Sequence, residues 1–414
     1  TTHTNKIKYV DSGGNTLSSA EINKIHTFFN LLKTTKGCVV YANEIARTNH
    51  IEGNIIGNNV NVPTSLVITR VKDLNPDDYS YVGNTTASIQ LSDNGKIFLG
   101  SKIQITKPNG NQTVINGGYS NNISAISLSE EDTKKNEKMI LNTLANISKT
   151  GSAIKSIADT SFFEDSTNSF QSVNSLLENG VVSKGDVISI NINYNEILNN
   201  EGVFGNLINS NPGVTVIVNV IFPSSGLKDI NINKAFSSNV KVPTEFNPKS
   251  SYIIWNFGDF DGNITINEEM LGIIVAPNAN VYQAAGNLNG QIISNIAGNN
   301  GELHQVTFRE EKKDEEKTTP EETTPSESES SSPEETTPSE TESTSIEETT
   351  PSETESISNE ETTPVETDSA SKEETTPSET KSVSREETTK STEKESETQT
   401  VPQTKEFSSK EEST

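Results

Sequence analysis

The sequence predicts a mainly β head that carries two helical segments and is followed by a disordered, low-complexity tail. Three observations lead to this reading. Short apolar runs separated by Asn and Gly recur between residues 38 and 308, as expected for short strands joined by turns. Two stretches replace that pattern with apolar residues at helical intervals. From Arg309 to Thr414 only seven residues are apolar (Ile346, Ile357, Val365, Ala370, Val383, Val401 and Phe407). So few cannot offset a chain entropy of roughly 1–2 kcal/mol per ordered residue.

Charge divides at the same place. The 414 residues carry a net charge of −26, of which the tail, with 32 acidic and 11 basic residues, holds −21, leaving −5 for the head. Neither part offers the basic face that a nucleic-acid partner requires. No apolar run approaches the ~18 residues of a membrane span, so no membrane insertion is expected. One cysteine, Cys38, rules out a disulfide or zinc scaffold. A chain that starts at Thr1 without a signal-peptide core reads as a trimmed mature fragment.

The first 37 residues form an N-terminal helical segment. Ser18 stands three residues before Glu21, the spacing of a capping box. Ile22, Ile25, Phe28, Phe29 and Leu32 then share one helical face, and Gly37 can end the run. Short strands are expected at Val39–Tyr41, Ile55–Ile56, Leu66–Ile68, Ile97–Leu99, Ile103–Ile105 and Val114–Ile115, which suit a sandwich, a barrel or a solenoid.

A helical interlude spans about residues 128–180. Ser129 caps a first turn rich in carboxylates (Glu130, Glu131, Asp132). Ile140, Leu141, Leu144 and Ile147 mark its apolar face. A second helix runs through Phe170, Val173, Leu176 and Leu177 to Gly180.

Longer strands follow at Val187–Ile192, Val214–Phe222, Tyr252–Phe257, Ile264–Ile266, Leu271–Ala276, where Pro277 should stop the strand, and Gln291–Ile293. In the run from Val214, the residues Val214, Val216, Val218 and Val220 share one face while Ile217 and Ile221 lie on the other, so this strand should be covered on both sides. Asn219, Asn256, Asn278, Asn280, Asn287 and Asn289 fall in or beside strands, where Asn is normally depleted; stacked in successive coils, they can satisfy turn groups.

The tail is built on a repeat. The pentad EETTP starts at Glu321, Glu334, Glu347, Glu360 and Glu373, every 13 residues, with a degenerate copy at Glu386–Lys390. Like charge and Pro without Gly favour an extended, acidic Glu/Thr/Ser/Pro stalk over residues 309–414.

Several segments of the head carry a family likeness. They are Gly213–Val220, Ile254-Trp-Asn-Phe257, Leu271-Gly-Ile-Ile-Val-Ala-Pro-Asn-Ala-Asn-Val281 and Gly286-Asn-Leu-Asn-Gly-Gln-Ile-Ile293, with Ile51-Glu-Gly-Asn-Ile-Ile-Gly57 upstream. In order and spacing they resemble the choice-of-anchor A domain of Gram-positive bacterial surface proteins, also described as an ice-binding-like adhesive domain. The likeness spans roughly residues 38–308 and is specific in the last 95 or so. It implies a parallel β-solenoid with α-helices alongside, displayed outside the cell and serving adhesion; some members are described as collagen-binding adhesins. The helix at Ser18–Lys33 has no counterpart in that pattern. A wall-sorting motif is not seen, so cell-wall attachment to peptidoglycan is an inference.

His3, His26, His50 and His304 are scattered and form no metal-binding spacing. His26 reads as a boundary residue of the first helix. Cys38 reads as a core residue with no base to activate it, and Trp255 as core packing. Asp259, Asp261 and Asn263 have the 1, 3, 5 spacing of a calcium loop, but Ile264 stands where the glycine belongs and Met270 where the glutamate belongs. Asp73, Asn75 and Asp77 fail in the same way, and both clusters read as Asx turns. Repeating Thr rows suited to ice are absent from the head.

No catalytic, cofactor-binding or metal-ligating residue is therefore assigned, and no cofactor. The chain reads as an extracellular, wall-displayed adhesin and not as an enzyme. Its partner is an extracellular-matrix protein, with collagen a candidate, or a glycan. A polysaccharide-acting solenoid enzyme and a purely structural envelope protein are the alternatives.

Overall fold

In a computed structural model, the described residues are 6–63, 65–69, 78–156, 173–194, 213–222, 226–233 and 252–308. The chain divides into two units, residues 1–324 and 325–414, and all described residues lie in the first. The stalk expected over residues 309–414 and Phe170 of the second helical segment lie outside them.

The described part is mainly β. In chain order its elements are β1 (Tyr9–Val10), α1 (Ser19–Thr34), β2 (Val40–Arg47), β3 (Ile51–Glu52), β4 (Ile55–Val60), β5 (Ser65–Thr69), β6 (Ser80–Thr85), β7 (Ser88–Leu91), β8 (Lys96–Leu99), β9 (Ile105–Thr106), β10 (Gln112–Ile115), β11 (Gly118–Asn121), β12 (Ser124–Ser127) and α2 (Glu130–Lys155). After these come β13 (Val187–Asn193), β14 (Thr215–Ile221), β15 (Asp229–Ile232), β16 (Ile253–Asn256), β17 (Asn263–Ile266), β18 (Met270–Gln283), β19 (Leu288–Asn299) and β20 (Leu303–Gln305).

The strands pair in three ladders, almost entirely parallel. The first runs β1, β13, β14, β16, β18, β19, β2, β4, β6, β8, β12. The second joins β15 and β17 to the C-terminal halves of β18, β19, β2, β4 and β6. The third joins the N-terminal ends of β18 and β19 to β20, β3, β5 and β7, and ends on the antiparallel β10–β11 hairpin. Val40 lies opposite Ile55 and Ile273 opposite Gln291, returns to the first ladder after 15 and 18 residues, whereas the return from Ile56 to Tyr81 takes 25 and that from Val216 to Ile253 takes 37. The order is not sequential: β2, near the start of the chain, is seated between β19 and β4.

Two apolar layers hold this together. Inward residues of all three ladders, among them Ile55, Ile89, Val218, Trp255, Ile274 and Ile292, form one cluster. The outer side of the first ladder (Tyr41, Ile56, Ile217, Ile254, Ile273, Ile293) forms a second with Ile25, Phe28, Phe29 and Leu32 of α1 and Ile140, Leu144, Ile147 and Ile154 of α2. First-ladder strands are thus covered on both faces, which explains why they are apolar at successive positions. Ile217 is fully buried on its helix side and Ile221 half-buried, as the alternation in that run requires.

The sequence expectations hold for α1, whose capping box is present: Ser18 Oγ accepts from the Glu21 amide and the Glu21 carboxylate accepts from the Ser18 amide. Lys36 and Gly37 then both take left-handed backbone angles. Three expectations are corrected. Leu141 is exposed, because the buried stripe of α2 follows positions 140, 144, 147, 151 and 154 and residue 141 is turned about 100° away from it. Ile103 lies outside a strand. Pro277 does not end its strand: β18 continues to Gln283, and its register breaks between Ala276 and Asn280. At that irregularity the proline occupies a position from which no ladder hydrogen bond is asked, while the chain turns from the first ladder to the second.

Asparagines line that turn. Asn256 donates to Asn219 Oδ1 (2.8 Å) and to the Gly151 carbonyl of α2 (2.9 Å), and Asn219 donates to Ser189 Oγ (3.0 Å). Asn278 donates to Ser148 Oγ (3.0 Å) and Asn58 to the Glu137 carbonyl (3.3 Å). The same side chains link strand to strand and fasten α2 to the sheet.

Candidate binding surface

Because α1 and α2 occupy the outer side of the first ladder, the second and third ladders supply the outward faces. On the second, the register aligns Asp229, Asn263, Asn280, Ile296, Glu44, Asn59 and Asn84 in one row. Its amides bond along the stack: Asn280 Nδ2 donates to Asn263 Oδ1 (2.9 Å) and Asn263 Nδ2 to Asp229 Oδ1 (2.8 Å). The adjacent row reads Asn231, Thr265, Tyr282, Gly298, Arg47.

Gly298 gives that row a gap. A groove of about 360 Å³ opens there, lined by Arg47, Thr265, Asn280, Tyr282 and the backbone of Ile296–Gly298. Arg47 reaches across the gap, donating to Tyr282 Oη (3.0 Å) with its guanidinium 5.1 Å from the ring centre. The groove therefore offers a cation, an aromatic edge and neutral amides side by side, a set that suits hydrogen bonding to an extended polymer.

The third ladder brings together two histidines that looked scattered. Asn289, His304 and Glu52 are aligned across β19, β20 and β3. His304 Nδ1 lies 2.9 Å from Asn289 Oδ1, and its Nε2 lies 3.1 Å from Glu302 and 4.0 Å from Glu52. Glu52 also meets His50 Nε2 at 2.9 Å. No local motif announces this meeting, since His50 and His304 belong to opposite ends of the head and converge only through the stacking of β20 on β3. Beside them the half-buried Glu269 carboxyl is held above its usual range by burial, a shift that the nearby His304 opposes. Among the described residues no group of three or more His, Cys, Asp or Glu is arranged to hold a metal ion, and no helix is long and apolar enough to cross a membrane.

Asp261 forms an ion pair with Lys228, and Asn263 bonds within the second ladder, so two of the three oxygen donors of the calcium-like spacing are engaged with protein groups. Asp73, Asn75, Asp77 and His3 lie outside the described residues. Cys38 is fully buried, its thiol directed at the Thr35 and Val40 carbonyls (3.1 and 3.0 Å) and its acidity suppressed by burial. His26 is more exposed than a boundary position implies and rests against the Tyr9 ring at 5.2 Å. Trp255 is fully buried and donates to the Leu271 carbonyl at 2.6 Å. Asn287 accepts from the Glu302 amide (3.2 Å), so each of the six asparagines in or beside the strands bridges two chain segments.

Residues 39–305 match a family profile described as an ice-binding-like adhesive domain. None of the curated proteins compared with the chain matches it.

Proposed function

Since the chain belongs to the ice-binding-like adhesive domain family, we propose that it is an extracellular adhesin whose head is a parallel β-solenoid, with the three ladders as its sides. The observation that carries this reading is the second ladder: a face of laddered amides that the described residues leave open, interrupted by the Arg47–Tyr282 groove. Rungs repeat every ~4.8 Å, so an extended polymer lying along the stack meets a hydrogen-bonding group at each step. The partner is an extracellular-matrix protein such as collagen, or a surface glycan. Asn, Asp, Glu, Arg and Tyr in these rows, instead of repeated Thr, favour such a polymer over ice. The acidic 13-residue repeat serves as the spacer that carries the head away from the cell wall, with attachment to peptidoglycan.

Binding of the full chain to immobilised collagens, fibronectin, fibrinogen and a glycan array tests the reading. Saturable binding to one of them is expected, weakened about tenfold or more by Arg47→Ala with Tyr282→Ala. Unchanged binding by that double variant, or no saturable binding at all, would sink it.

A second reading has its own observation. Glu52 and Glu302 flank one imidazole, His304, on the third ladder, and paired carboxylates are the working groups of polysaccharide hydrolysis. Release of reducing ends from polysaccharides, abolished by Glu52→Gln, would move the assignment to that class; no release would close it.

A further inference from the structure

On the helix side of the first ladder, α2 does not lie flat along its whole length. Its buried side chains begin at Ile140, and none from Glu130 to Met139 is buried, so the N-terminal part of the helix overhangs the sheet. Beneath it, bounded by β2, β4, β6, β8 and the end of α1, the described residues leave a groove of about 630 Å³. That lies within the ~300–1,000 Å³ typical of small-molecule sites.

The floor of the groove, Tyr41, Ile56 and Tyr81, belongs to the second apolar layer and is buried. Contact with a ligand therefore falls to the side chains around it. Tyr79, Phe98 and Leu128 are only partly buried, and Met139 on the helix above is 51 % exposed. The Tyr79 and Phe98 rings meet edge to face, with centres 5.0 Å apart. This accessible wall is apolar and mostly aromatic, a surface that receives a flat ring through edge-to-face and sulfur–aromatic contacts.

The rim adds charge of one sign. Lys36, just past α1, and Lys135 of α2 both line the groove, and neither forms an ion pair among the described residues. Asp132, which also lines it, is already engaged: its carboxylate accepts from Ser129 Oγ at 2.8 Å and sits in the first turn of α2, where the helix dipole offsets its charge. Burial holds the Tyr79 phenol above its usual range, so no phenolate competes for the lysines. An apolar ring with a negative end is complementary to this arrangement.

We propose that the groove is a binding site for a small aromatic carboxylate, its ring against Tyr79, Phe98 and Met139 and its charge at Lys36 and Lys135. The site shares no residue with the second- or third-ladder faces, so it does not rest on the adhesin reading.

Titration of the full chain with 1-naphthoate and indole-3-acetate, followed by ligand-observed NMR, tests this. 1-Naphthamide serves as the neutral isostere and decanoate as an acid without a ring. At least one aromatic acid is expected to bind with a dissociation constant on the order of 0.1 mM, and naphthoate to bind about fivefold more tightly than its amide. Lys36→Gln with Lys135→Gln should bring naphthoate down to the affinity of the amide and leave the amide unchanged. Met139→Glu, at an exposed helix position, should weaken both aromatic acids about tenfold by setting a carboxylate beside their own. No saturable signal from either aromatic acid overturns the proposal. So do equal binding of acid and amide, tighter binding of decanoate, or aromatic-acid binding that Met139→Glu does not alter. Arg47→Ala with Tyr282→Ala should leave the aromatic-acid signal intact, which separates failure here from failure of the adhesin reading.

Discussion

At Asn256 three structural levels meet in one side chain. Its amide donates to Asn219 on the neighbouring strand β14 and to the α2 backbone at Gly151, while its oxygen accepts from the Gly258 amide (3.0 Å). Asn256→Ala strands these buried partners, and a loss of about 2–3 kcal/mol is expected in urea unfolding. Gly151 is bound by the same geometry. Helix propensity alone favours Ala over Gly by ~1 kcal/mol, yet a Cβ at position 151 would lie 2.7 Å from Asn256 Oδ1. Gly151→Ala should therefore destabilise the head despite its propensity gain.

Glu269 sets a pH expectation at the same scale. Burial raises its folded-state pKa above the unfolded value, so the fold favours the protonated acid. Its contribution is most favourable below the ordinary carboxylate pKa and is lost as pH rises through the folded value. Glu269→Gln should then raise the melting temperature at neutral pH relative to the parent chain, with the difference vanishing near pH 4. A difference that persists unchanged at low pH would contradict this.

The elements differ in how far the sequence disclosed them. α1 was legible because its cap, its periodicity and its stop agree, and Ser18→Ala should cost about 1 kcal/mol. α2 was legible as a helix but not in its outer edge, since hydrophobicity alone does not distinguish the buried Ile140 from the exposed Leu141. The stripe that decides is where the sheet lies, and Ile147→Ala within it should cost about 2–5 kcal/mol by calorimetry. β18 was read too short because Pro277 obeys a local rule whose premise, a ladder hydrogen bond at that residue, fails at the turn between ladders. Two-residue strands such as β1 and β3 carry no periodicity to read. The paired histidines are a long-range product of strand pairing and left no local signal.

For the whole molecule, the order of the first ladder matters most. β2 and β19 come from opposite ends of the head and are paired in parallel along most of their length, so each half supplies the other's missing neighbour. Expressed separately, residues 6–156 and 173–308 each present an open strand edge. They are expected to fold poorly alone and to regain β-sheet circular dichroism on mixing; a fragment that folds alone as a monomer would show that the halves are independent.

The chain leaves the head after β20, which is clasped between β19 and β3, and Phe308 then rests on Phe29 of α1 with ring centres 5.0 Å apart. A pull on the segment beyond Phe308 is passed to β20, whose backbone is hydrogen-bonded to β19 on one side and β3 on the other. The strand behind it, β19, is itself gripped by β18 and β2. A tether attached at this point hauls on the middle of the sheet, where the two ends of the head are fastened to each other.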